Sequence, residues 1–420
     1  MEDEKDTLLI HNIGRIVTFP GTGPVSGSGM DEPDIIESCA LSVRNGRIGR
    51  IDTEEGIWSS VDLAPDARCV DAGGRCVVAG FIDPHTHAVF AGSREFELSM
   101  KLKGSTYLEI LKAGGGILRT MRDTRSASAG DLIYQMNERL DKMMIYGTTT
   151  AEVKSGYGLD PESELKLLRA VKESDHPMDL IPTFLGPHAV PPEYSDDPDG
   201  FIDIMIDLLP QVVDEDLAVF ADIFCEKGVF NADQSKRFLS AARDAGLKIK
   251  IHSDEIENLG GTIVGAELGA VSAEHLLVST DEDLKAMKSS GTIPVLLPGT
   301  LMTIFEDRVP RARDMIDMGL SVALATDINP NCWVESMQFI QALGSYRLRM
   351  TPNETLAATT VNAAHAVGLG DRKGRIREGY DADILILKDP SFDHVVYNFG
   401  VNHVHTVVKG GEVVHEDIGW

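Results

Sequence analysis

The stretch "FIDPHTHAVF" (Phe81–Phe90) closes an apolar run with Asp-Pro and then sets His85 and His87 one residue apart. In extended backbone, residues i and i+2 point the same way, so both imidazoles can face one ion. A second pair with the same spacing, His403 and His405, lies in "VNHVHTVV". What the other apolar runs deliver to the same place decides between the two pairs.

Counting "VVAGFIDPHTH", eight runs read as buried strands. The other seven are "GTTTAEVKSGYG", "MDLIPTFLGPHAV", "LAVFADIFCEKG", "GLKIKIHSDE", "AVSAEHLLV", "GTIPVLLPGT" and "LSVALATDINPN". Amphipathic helical stretches separate them, such as "DLIYQMNERLDKMMIYG" and "ADQSKRFLSAARDAG". Such alternation predicts a parallel α/β sheet. Eight units predict a (β/α)8 TIM-like barrel over residues 80–371, with its chemistry at the C-terminal ends of the strands. "PNETLAATTVNAAHAVG" reads as one helix closing it. Both chain ends are different: short β-rich runs broken by Asn-Gly and Gly-Gly, which are hairpin signals. Residues 1–79 and 372–420 are therefore expected to form one small composite β-sandwich domain.

Polar residues recur just past these runs. His85 and His87 follow the first, Lys154 and Tyr157 the second, and His188 the third. His252 and Glu255 follow the fifth, His275 the sixth and Asp327 the eighth. In a closed barrel they meet at one mouth. His85, His87, His252 and Asp327 make a set of three nitrogens and one oxygen that suits zinc or iron, with a position open for water. A metal there brings bound water to a pKa of around 7. His275 is placed as the base that takes the water proton, and Glu255 as the group that passes a proton to a leaving nitrogen. The His403/His405 pair has no third ligand near it in sequence and is expected to be strand packing.

The chain has 420 residues and a formal net charge of −27. That charge repels phosphate backbones and anionic lipid surfaces, which argues against nucleic-acid and membrane partners. Five scattered cysteines without a C-x-x-C spacing fit a reduced, cytoplasmic protein. The acidic start "MEDEKDTLLI" does not read as a signal peptide, and no run of about 18 apolar residues suggests a membrane span.

The H-x-H, the two later histidines, the aspartate and the tail "GRIREGYDADILIL" together resemble the amidohydrolase superfamily. Within it, "DPHTHAVFAGSREFE", "STYLEILKAGGGIL", "TTTAEVKSGYGLD", "FCEKGVF", "HSDEIENLGG" and "GAVSAEHL" resemble the imidazolonepropionase family over nearly the whole chain. The resemblance implies hydrolysis of 4-imidazolone-5-propanoate to N-formimidoyl-L-glutamate in histidine breakdown. It implies one Zn2+ or Fe3+ per chain, a small-molecule substrate and a homodimer. It also implies that Arg94 clamps the substrate carboxylate, that Tyr107 and Tyr157 offer hydroxyls, and that His188 and Glu255 contact the ring. Asn329 is implied as a product contact. The sequence departs from the family after Asp327, where "DINPNC" places Asn331 and Cys332 in positions usually held by glycine and a hydroxyl residue. An asparagine replaces glycine well if position 331 is left-handed. Cys332 would be a weaker donor to substrate.

Two related activities compete. A mononuclear deaminase acting on an aminated heterocycle uses a similar histidine set, but needs no guanidinium for a carboxylate. A binuclear hydrolase needs a bridging lysine at the end of the fourth strand. Here Lys227 falls past that end, which favours one metal. A pure binding module would have no use for His275 and Glu255.

Overall fold

The computed structural model describes residues 5–417, apart from the side chains of Tyr107 and Leu108. All eight runs become parallel barrel strands. They are β1 (Phe81–Asp83), β2 (Thr148–Lys154), β3 (Asp179–Phe184), β4 (Phe220–Ala221), β5 (Lys248–Ser253), β6 (Ser272–His275), β7 (Ile293–Leu296) and β8 (Ala323–Leu324). Each pairs with the next in chain order, and a short piece after β4, Phe224–Cys225, also pairs with β5. The barrel closes just beyond the ends of β8 and β1. Asp327 N donates to His85 O (3.1 Å) and His87 N to Ile328 O (2.9 Å). Thr326 N also donates to Asp83 Oδ1 at 3.1 Å.

The run "VVAGFIDPHTH" is two strands rather than one. Cys76–Ala79 pairs in a different sheet, with Asp6–Thr18 and Ile384–Leu387, before β1 joins the barrel. Gly80 is the joint between them. A Cβ there would lie 2.3 Å from Thr149 Oγ1, so only glycine lets the chain pass that close to β2. The sheet to which Cys76–Ala79 belongs has eight strands drawn from both chain ends. Its hairpins turn at Asn45-Gly46 (φ 52° and 71°) and Gly410-Gly411 (φ 55° and 84°), the positive angles such two-residue turns require.

Helices cover the barrel for reasons visible in their sequences. The helix Ala129–Ile145 starts at a capping box, with Ser128 and Asp131 exchanging side-chain and backbone bonds. It buries Leu132, Met136, Leu140 and Met143, spaced by three or four residues, and each burial stabilises by about 2 kcal/mol. Arg139 on the same helix is buried. Its guanidinium lies 3.6 Å from the centre of the Phe90 ring and donates to Ala88 O and Phe90 O at 2.7 and 3.0 Å. It pins the chain leaving the His85/His87 segment. The expected single closing helix is two, Pro352–Thr359 and Val361–Ala366, broken at Thr360 (φ −125°, ψ −85°).

His403 and His405 lie on or beside the strand Val404–Lys409, far from the barrel mouth in the fold. His403 is buried with Nδ1 2.6 Å from Asp389 Oδ2 and Nε2 2.9 Å from Asn398 O. Both its nitrogens are occupied. His405 Nδ1 lies 2.7 Å from Thr406 Oγ1. No helix among the described residues is long and apolar enough to cross a membrane.

Candidate metal and substrate site

At the C-terminal mouth of the barrel the imidazoles of His85, His87, His252 and His275 pack edge to face, with ring centres 4.5 to 5.7 Å apart. Asp327 Oδ1 lies 3.4 Å from Nε2 of both His85 and His87. Ligand atoms of His85, His87 and Asp327 lie within 4.8 Å of one another, and so do those of His85, His252 and His275. Strained backbone aims several of these groups. Asp327 has φ 52° and His275 φ 76°, in the left-handed region that such residues rarely occupy.

The orphaned atoms define what the site can hold. Nε2 of His85 and of His252, Nδ1 of His87 and Oδ1 of Asp327 are buried without a hydrogen bond. Several such atoms converging on one point are costly unless something binds them. A cation satisfies Nε2 of His85 and His252 and the Asp327 carboxylate together, so the donor set fits a metal. The other face of each ring supports this. Nδ1 of His85 sits against Glu274 Oε2, and Nδ1 of His252 lies 2.8 Å from Asp222 Oδ2. A carboxylate facing Nδ1 holds the proton there and leaves Nε2 free to ligate.

Those carboxylates belong to a buried charged layer beneath the site that the sequence reading did not find. Lys154 Nζ lies 2.8, 3.0 and 3.0 Å from Asp222, Glu152 and Glu274. Lys250 Nζ lies 2.8 and 3.3 Å from Glu152 and Glu274, and donates to Pro84 O at 3.1 Å. All five are fully buried. Burial opposes the charge on Lys154, but Asp222, Glu152 and Glu274 outweigh it and hold the ammonium well above its ordinary pKa. Three carboxylates against two ammonium groups leave the layer one negative charge, which favours a cation above it. The signal was present in sequence: Glu152 and Lys154, and Lys250 and His252, share the i, i+2 spacing that points inward.

These imidazoles and Asp327 border a cavity of about 460 Å3. His188 stacks on His87 at 4.8 Å between ring centres, with 12° between the planes. Its Nδ1 lies 2.9 Å from Gly156 O, so the proton sits there and Nε2 faces the cavity as an acceptor. Tyr157 is buried in the wall, and burial pushes its phenol above the usual range. Glu255 Oε1 lies 3.8 Å from His275 Nδ1, and burial raises its carboxyl pKa. Arg94 lines the opposite end. Its Nε and Nη2 donate to the two oxygens of buried Glu97 at 2.7 and 2.8 Å, and Glu97 Oε1 also accepts from Gly116 N at 2.7 Å.

The loop after Asp327 differs from expectation. Asn331 is not left-handed; the positive φ falls on Asp327. Asn331 instead turns its amide oxygen into the cavity, where it accepts from Lys101 Nζ. Asn329 lines the cavity, but its amide serves the loop: Nδ2 donates to Asp327 O at 2.8 Å and Oδ1 accepts from Asn331 N at 2.8 Å. Cys332 is not brought to the cavity wall. It is fully buried with Sγ 3.6 Å from Thr326 O, so it packs the loop and offers nothing to a ligand. The side chain of Tyr107 lies outside the described residues. Lys227 is exposed and paired with Glu257 at 2.5 Å, away from the ligand set.

The amidohydrolase family model matches residues 76–414. The chain is 46% identical over 420 residues to the imidazolonepropionase of Bacillus velezensis, covering 99% of this chain and 98% of that one. It is 46% identical to the imidazolonepropionase of Alkaliphilus metalliredigens, covering 97% of each. Among solved structures it resembles a 5-methylcytosine deaminase from Klebsiella pneumoniae, with TM-score 0.72, 19% identity and 97% and 99% coverage of the two chains. It also resembles an adenosine deaminase from Xanthomonas campestris, with TM-score 0.71, 16% identity and 98% and 93% coverage. At these identities the deaminases share the fold alone.

Proposed function

The chain belongs to the amidohydrolase family, and on that premise we propose that it hydrolyses the ring of 4-imidazolone-5-propanoate to N-formimidoyl-L-glutamate, a step of histidine degradation. One observation carries the reading. One cavity is lined both by convergent imidazoles with Asp327 and by the cationic side chains Arg94 and Lys101, which suits a ring carbonyl tethered to a carboxylate. A nucleobase has no such carboxylate, which disfavours the deaminase alternative.

His85, His87, His252 and Asp327 would hold a single metal ion, zinc or iron. When bound, the ion lowers the pKa of water and polarises a carbonyl oxygen. His275 takes the proton of the attacking water, whose oxygen bonds to the ring carbonyl carbon. The bond from that carbon to the ring nitrogen breaks, and Glu255, whose carboxyl pKa burial raises, supplies the proton that the departing nitrogen needs. His188 and Tyr157 wall the ring, with Phe90 packed behind Tyr157 and His87 stacked on His188, and Arg94 presents its remaining Nη edge to the propanoate. Asn329 shapes the loop at the product end. We further propose a division into a 1–79 plus 372–420 unit and an 80–371 barrel, a homodimer and a cytoplasmic location.

The test is absorbance-monitored turnover of freshly made 4-imidazolone-5-propanoate with and without a chelator. Chelator-sensitive loss of the imidazolone band is expected. No turnover by protein shown to carry metal would refute the reading and direct attention to aminated heterocycles.

A further inference from the structure

The cavity end that receives the propanoate holds two cations, and they are not equivalent. Arg94 is bonded along its whole Nε–Nη2 edge to buried Glu97, so its charge is already offset. Arg94 and Lys101 are the only lysine or arginine side chains among the described residues lining the cavity, and Glu97 is the only acid at that end. The balance there is one positive charge, and it resides on Lys101. The helix Phe96–Leu102 carries Glu97 and Lys101 one turn apart, so both reach the same wall. Asn331 Oδ1 takes one ammonium proton of Lys101, which fixes the side chain across the mouth and leaves two donors facing inward.

We propose that Lys101, seated by Asn331, is the residue that makes this enzyme select a substrate with an ionised side-chain carboxylate, while the Arg94–Glu97 pair sets that carboxylate's orientation. The inference rests on the ring-opening reading above. It also explains how a chain of formal net charge −27 admits an anion: the local field at the mouth is opposite to the global one. Half-burial lowers the ammonium pKa of Lys101, with Glu97 opposing, as expected of a cation whose own counter-charge is shared with Arg94.

The experiment compares 4-imidazolone-5-propanoate with its side-chain carboxamide, on wild-type protein, Lys101→Met and Lys101→Arg. A charge-assisted contact in a half-open site predicts that Lys101→Met lowers the acid-to-amide ratio of kcat/KM by about tenfold, through KM for the acid. Lys101→Arg should restore the ratio to within roughly threefold. Because both substrates are read on one protein sample, a folding defect lowers both and leaves the ratio alone. Calorimetric binding of 3-(imidazol-4-yl)propanoate should weaken in parallel. An unchanged ratio in Lys101→Met, or equal loss on both substrates, overturns the proposal. If wild-type protein opens neither ring and binds no imidazolylpropanoate, the ring-opening reading itself falls and takes this inference with it.

Discussion

Replacing Glu274 by glutamine changes one buried oxygen into an amide and removes one charge from the layer under the metal ligands. Glu274 touches His85 Nδ1, Lys154 Nζ (3.0 Å), Lys250 Nζ (3.3 Å) and Ser272 Oγ (2.9 Å). The substitution takes the layer from three carboxylates against two lysines to two against two. The net negative charge that favours a cation disappears, and His85 loses the group that holds its proton on Nδ1. Loss of such a supporting partner typically costs 10- to 100-fold in metal affinity, or about 1.4–2.7 kcal/mol. The amide must also present two N–H groups toward neighbours that are themselves donors, so part of the cost appears as stability. Chelator competition for zinc, read by a chromophoric indicator, measures the first quantity. Urea unfolding of the metal-free protein measures the second. Asp222→Asn, which strips the same support from His252 (2.8 Å), should weaken binding comparably. A zinc affinity for Glu274→Gln within twofold of wild type would refute the idea that this layer tunes the site.

His403→Ala should leave kcat and KM unchanged while lowering unfolding free energy by about 1–3 kcal/mol, because half-buried Asp389 and Asn398 O lose their shared partner. Glu164 offers a pH dependence. Burial pushes its carboxyl pKa up to about 7, against the pull of Ser155 and the N–H groups of Leu159, Gly156 and Gly158. The folded chain therefore holds this proton more tightly than the unfolded chain, whose value is 4.5. The contribution is fully present below that value and is lost as pH rises toward about 7, so the penalty of Glu164→Gln should shrink by about 2–3 kcal/mol between pH 5 and pH 8 in urea titrations. A penalty that grows over that range would reverse the assignment.

The strand runs were legible because burial on both faces writes itself as continuous apolar sequence, and all eight carried through. What periodicity could not mark was a change of sheet inside one run: "VVAGFIDPHTH" keeps its apolar character across Gly80, and only the 2.3 Å approach to Thr149 reveals the joint. The break at Thr360 falls in Thr359-Thr360-Val361-Asn362, a run of low helix propensity that the alanines on either side masked. At the site, the convergence of His85, His87, His252 and Asp327 on one mouth was readable from where they fall along the chain. Glu152, Asp222, Lys250 and Glu274 were not read, although Glu152 and Lys250 carry the inward i, i+2 spacing, because their partners come from three strands and the segment after a fourth. The reading of Arg94 likewise missed Glu97, three residues on. Asn331 shows the limit of reasoning from a substituted glycine. The positive φ sits at Asp327, and what Asn331 contributes is its side chain, which accepts from Lys101.

The barrel is sewn shut by the metal-binding segment itself, through Asp327 N to His85 O and His87 N to Ile328 O. This gives the site a place in time. Residues 85 and 327 meet only after every intervening strand has found its neighbour, a contact of very long sequence separation and so among the last to form. A growing or half-folded chain can offer its histidines singly but cannot yet offer them as a set. On the proposed ligand set, capture of an ion and completion of the fold would be one event, and a bound ion would resist the reopening of that seam. The enzyme becomes reactive only once it is finished.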